Sequence, residues 1–145
     1  MFEHICVPTD TSAESRRALE LAGKMQLLEN PAPEGHCKIT LLHVVEAIAH
    51  EADNEFESFY AQLIKRAEAK MEDLIAASQT QNLFLEKRIV IGNRTREILD
   101  FVQNNSIDLI ILMSHRVDPD NLTQGWGTIS HKVGILAPCP VMLVK

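Results

Sequence analysis

Short apolar runs alternate along the chain with longer segments whose apolar residues recur every three or four positions. Leu109 to Met113 is wholly apolar, the mark of a strand covered on both faces. Ile5-Cys6-Val7, stopped by Pro8, predicts a first strand of the same kind, and the Leu-rich, β-branched run 39–45 a second. Residues 84–91 predict a third. Its centre, Glu86-Lys87-Arg88, alternates with apolar neighbours, which suits a wet face or a sheet edge. Val141 to Val144 predicts the last strand.

Between these runs the period is helical. Thr11 with Glu14 fits a capping box, with Ser12 as a rival cap, and opens a helix whose inner face is Ala18, Ala22, Met25 and Leu28. Pro31, Pro33 and Gly35 end it. Phe56, Phe59, Tyr60, Leu63, Ile64, Ala67, Met71, Leu74 and Ile75 mark one face of a long second helix. Gly92 predicts a tight turn into a third, capped by Thr95 or Asn93, with Ile98, Phe101 and Val102 inward. Residues 128–136 predict a fourth, with Ile129, Val133 and Leu136 on one side. Parallel strands need crossovers, and helices supply them. The expected fold is α/β: a three-layer sandwich around a five-stranded, mostly parallel, Rossmann-like sheet, one domain over residues 1–145, with right-handed crossovers.

Composition narrows the function. A net charge of −6 argues against nucleic-acid binding, which needs clustered Lys and Arg. Cys6, Cys37 and Cys139 show no pairing pattern and suit free thiols in a reducing compartment. The start, Met-Phe-Glu-His, lacks a basic stretch followed by a long apolar one, and no run approaches the ~18–20 residues of a membrane helix. A soluble cytoplasmic protein, off the membrane, is expected.

In open parallel sheets ligands collect beyond the C-terminal ends of the strands, where the strand order switches. The residues leaving those ends are Pro8-Thr9-Asp10, Val44-Val45-Glu46 and Ser114-His115-Arg116. Asp10 suits hydrogen bonds to a ribose or a base, and equally the start of a helix. Gly127-Thr128 opens the fourth helix, where unpaired amides and the helix dipole attract phosphate, although a plain Thr cap reads the same way. Arg116 offers a fork of donors to a phosphate, or to Asp118 or Asp120 in its own loop. His115 is a donor or an acceptor at neutral pH. Trp126 suits an anchor for that loop. His43, within a strand, reads as a satisfied core or sheet histidine. No histidine, cysteine or carboxylate spacing marks a metal site, and no catalytic triad or glycine-rich Walker loop occurs.

The chain resembles the universal stress protein family along nearly its whole length. The matching pieces are Ile5-Cys6-Val7-Pro8-Thr9-Asp10-Thr11-Ser12, Leu41-Leu42-His43-Val44-Val45, the Gly92 turn, Asp108 through Met113, and Ala137-Pro138-Cys139-Pro140-Val141. The resemblance implies an adenine-nucleotide alpha-hydrolase-like fold and a homodimer joined by antiparallel pairing of the last strand, here Val141, Met142, Leu143 and Val144. In ATP-binding members the loop reads Gly, two residues, Gly, nine residues, Gly, then Ser or Thr. Aligned on Gly127-Thr128, the first two glycines fall on Ser114 and Val117, so the spacing is kept and those glycines are not. Val117 is poorly suited to the left-handed angles that glycine allows.

What the resemblance implies is a stress-response or regulatory protein that binds an adenine nucleotide weakly or in altered fashion. Pro8, Thr9, Asp10, Val44, Ser114, His115, Arg116, Gly127, Thr128 and Ile129 would form the site. The ligand is ATP or another adenine nucleotide, alone or with Mg²⁺. No catalytic residue is expected, and slow hydrolysis at most. The alternative is a nucleotide-free dimeric module whose function lies in protein contacts.

Overall fold

The computed structural model describes residues 1–29, 37–48, 55–78, 84–114, 120 and 128–145. Strands β1 (His4–Pro8), β2 (Lys38–Glu46), β3 (Leu85–Gly92), β4 (Leu109–Met113) and β5 (Val141–Val144) form one sheet in the order β3-β2-β1-β4-β5. Every neighbouring pair is parallel, so the expected mostly parallel sheet is wholly so. The described helices are α1 (Arg16–Glu29), α2 (Glu55–Ala77), α3 (Arg94–Asn104) and α4 (Ile129–Leu136).

The strand order explains the layers. From β1 the chain steps outward to β2 and β3, then returns across β1 to β4 and β5. With right-handed crossovers, reversing the direction of travel moves the helices to the other face. Ala18, Leu19 and Ala22 of α1 and Met71 and Leu74 of α2 accordingly pack with Ile5, Val7, Ile39, Leu41, Leu109 and Ile111. Ile98, Phe101 and Val102 of α3 and Val133 of α4 pack with Cys6, Leu42, Val44, Ile110 and Leu112 on the opposite face. The period of two along each strand divides these sets. It also explains why the central strands β1 and β4 carry so few polar residues.

The edges differ in chemistry. In β3, the charges that break the apolar run each lie against a neighbour. Lys38 pairs with Glu86 at 2.8 Å, Lys87 with Glu72, and Arg88 lies 5.8 Å from the Phe101 ring centre. At the other edge, β5 has only β4 as a partner among the described residues, and Leu143 is 38% exposed.

Local expectations are corrected in three places. The capping box at Thr11 and Glu14 does not form, because a 3₁₀ turn at Ala13–Ser15 precedes α1 and Ser12 makes no side-chain cap. The inner face of α1 is rotated: Leu28 is 82% exposed, while Leu19 and Gln26 are buried. The Gln26 amide donates to the carbonyls of Cys37 and Phe84, tying α1 to the starts of β2 and β3. In α2 only the C-terminal half of the predicted face is sealed, at Ala67, Met71 and Leu74, and Phe59 stays 43% exposed. No helix among the described residues is long and apolar enough to cross a membrane.

Candidate functional site

The strand order switches between β1 and β4, and a cavity of about 340 Å³ lies beyond their C-terminal ends. Of the residues expected from sequence, Pro8, Thr9 and Asp10 leave β1 into its wall, Val44 lines one side, and Ser114, Thr128 and Ile129 line the other. His115, Arg116 and Gly127 lie outside the described residues, as do Val117, Asp118 and Trp126.

The β1 exit is a tight, internally bonded turn. Asp10 Oδ1 accepts from the Ser12 amide at 2.9 Å and from Ser15 Oγ at 2.8 Å. Thr9 Oγ1 accepts the amide of Thr11, whose φ is +66°. A β-branched residue rarely takes that conformation, and such strain gathers at functional turns. Asp10 therefore does organise the approach to α1, as a side-chain turn rather than a helix cap. Burial pushes its carboxyl up, but the hydrogen bonds from Ser12 and Ser15 outweigh it, and the net shift is below the usual carboxylate range. Asp10 is thus ionised at neutral pH.

At the far side, Thr128 caps α4, its Oγ1 accepting the His131 amide at 3.4 Å. Thr128, Ile129 and Ser130 all border the cavity, so α4 opens onto it at its positive end. Ser114, whose amide donates to Val144 C=O, closes the corner beside β5 and accepts from Lys145 Nζ at 3.3 Å.

Several wall residues escaped the sequence reading: Ser12, Glu14, Ser15, Leu42, Arg94, Ile98, Leu112, Met113 and Ser130. Most are neighbours of expected residues. Arg94 is not, and it carries charge. It is the first residue of α3, follows the Gly92-Asn93 turn out of β3, and its Nε lies 3.6 Å from Glu46 Oε1. The signal was present in principle, since Arg94 leaves the C-terminal end of a parallel strand. The turn itself depends on Gly92, where a Cβ would stand 2.6 Å from Glu97 Cγ. Asn93, not Thr95, caps α3, accepting the Arg96 amide at 3.1 Å.

The described wall combines two anions, Asp10 and Glu14, with one cation, Arg94. No group of three potential metal-ligating side chains occurs among the described residues. The arrangement offers an ionised acceptor at the centre, a helix N-terminus with two hydroxyls at one side, and the end of β2 at the other. That order suits a ligand with an anionic group, a polyol and a flat base.

A family model described as the universal stress protein family matches residues 1–145. Among solved structures, the chain is similar to hypothetical protein MJ0577, at 26% identity over 100% of this chain and 96% of that chain, with a TM-score of 0.78. It is similar in fold to universal stress protein UspA from Lactobacillus plantarum, at 22% identity over 99% and 98% of the two chains, TM-score 0.70. The same holds for the universal stress protein from Archaeoglobus fulgidus in complex with dAMP, at 16% identity over 99% and 98%, TM-score 0.68. Curated proteins offer no significant sequence match.

Proposed function

We propose that this chain, which belongs to the universal stress protein family, is a regulatory domain that binds an adenine nucleotide in the cavity between β1 and β4. The observation that carries the reading is that one cavity brings together Val44, Asp10 and the N-terminus of α4 in that order. The base lies against the end of β2, the ribose hydroxyls donate to Asp10, and the phosphate meets Thr128, Ile129 and Ser130. A relative of the same fold is known in complex with dAMP, an adenine nucleotide that shares the base and the phosphate and carries a deoxyribose.

Binding is weak or altered compared with a glycine-lined triphosphate cradle. Ser114 and Val117 stand where glycines would let backbone amides close on the phosphates. Asp10 and Glu14 also repel a polyanion, so ATP binds with Mg²⁺ or with the help of Arg116. In this reading the domain is a binder with slow hydrolysis at most. It works as a cytoplasmic homodimer, joined at β5, where Leu143 and, on α4, Ile135 and Leu136 are exposed.

The test is thermal unfolding with ATP and Mg²⁺, with GTP as control. Ligand at about 100 times its Kd adds roughly 2.7 kcal/mol, a rise of roughly 5 to 10 °C for a domain this size. A rise with ATP alone supports the reading. No shift at millimolar ATP, in protein free of carried-over nucleotide, overturns it in favour of a nucleotide-free interaction module.

A further inference from the structure

A base can be read by a strand only where the strand's hydrogen-bonding edge is open. Successive residues of β2 point their backbone groups alternately to its two neighbours. Lys38 N–H donates to Glu3 C=O beside β1 at 2.9 Å, whereas Ile39 N–H donates to Phe84 C=O and Ala47 N–H to Gly92 C=O beside β3. Val44 therefore faces β1. Paired register runs to Pro8 opposite Leu42, and Thr9 N–H then donates to Leu42 C=O at 2.8 Å. The next rung of this ladder would be Val44 N–H to Thr9 C=O.

Among the described residues that rung is absent, and Thr9 C=O instead faces His43 Nδ1 at 2.8 Å. A carbonyl only accepts, so Nδ1 carries the proton. Here we infer that His43 is a positioning residue: by drawing Thr9 C=O toward its ring it turns that carbonyl out of the β1–β2 ladder, ends the ladder one rung early and holds the Val44 N–H and C=O open to the ligand's base. This rests on the nucleotide reading above. An adjacent donor and acceptor match the ring nitrogen and amino group of adenine. With the ribose held at Asp10, the 6-oxo base of inosine presents the reverse order, and a site built on such pairs rejects the mismatch.

The experiment uses wild type, His43→Leu and His43→Asn, whose amide can place a donor near the Nδ1 position. Amide exchange of Val44 is read by NMR without ligand, relative to Val45, whose N–H faces β3; the ratio cancels changes in overall stability. Open-edge exchange in wild type and His43→Asn, slowed about ten-fold in His43→Leu as the rung closes, is the expected result. AMP and inosine monophosphate are then titrated into each. His43→Leu should weaken AMP about ten-fold and erase its advantage over inosine monophosphate, with His43→Asn retaining both. Ladder-like protection of Val44 in wild type, or unchanged exchange and base preference in His43→Leu, overturns the inference. A fast Val44 amide in a protein that binds no AMP overturns the nucleotide reading and the base-recognition role, and upholds the ladder break.

Discussion

The two ends of the sheet are both rich in polar groups, yet they use them differently. At the N-terminal ends of the strands, each group is turned on another. Asp108 accepts the amides of Glu3 and His4 at 2.7 and 3.1 Å. The His4 ring bridges Asn105 C=O and Thr40 Oγ1, at 3.1 and 2.7 Å, and Glu86 closes the chain between Thr40 and Lys38. At the C-terminal ends, Asp10, Val44 and Thr128 instead border a cavity. Polar residues at a strand end therefore make a candidate site only where there is space beside them for a ligand.

The largest effect that would break this contrast is expected at the closed end. Asp108→Ala strands two backbone donors and should cost about 1–3 kcal/mol, visible as a lower Tm, with ATP affinity unchanged. A loss of affinity would show that the two ends are coupled. At the open end, Asp10→Ala should reverse the balance. Nucleotide affinity drops about ten-fold or more, a binding loss of about 1.4 kcal/mol by titration, while stability falls by only about 1 kcal/mol through the lost turn. Equal losses in both assays would make Asp10 a structural residue alone.

The smallest effects lie in pH. Burial holds His4 below its ordinary value, against the opposing pull of Asn105 C=O. The folded state then binds fewer protons than the unfolded one, so stability is full above about pH 6.5 and declines as pH falls toward the lower folded value. The Asp10 contribution is present above about pH 3.9 and is lost as pH falls through its depressed folded value. Urea unfolding from pH 7 to 3 should show the upper slope shrink in His4→Gln and the lower one shrink in Asp10→Asn. Glu86, where burial is outweighed by pairing with Lys38 and the carboxyl is also held low, carries the rest of the lower slope. A slope left unchanged by its variant belongs to another group.

Much of the candidate site was legible because the residues that line the cavity sit at the ends of elements whose apolar runs are unambiguous. Asp10, Val44, Ser114 and Thr128 each follow or end such a run, and parallel topology then places them on one side of the sheet. Arg94 also leaves the end of a strand, but its position alone does not say that the first residue of α3 turns toward the cavity rather than into solvent. The failed capping box shows the same limit. Thr11 and Glu14 have the right spacing, but the β1 exit bonds through Asp10 and Ser15, and the turn overrides the local preference.

By itself, the sequence determined the strands, the helices and the two-sided burial, because hydrophobic periodicity acts within each segment. It also placed Ser114 and Val117 where the family resemblance leads one to expect glycines. Only the tertiary structure decided the strand order β3-β2-β1-β4-β5 and hence the position of the cavity. It alone set the pairing of Arg94 with Glu46 and the diversion of Thr9 C=O to His43. The reason is physical: these depend on contacts between residues far apart in the chain, whose geometry exists only once the layers have packed.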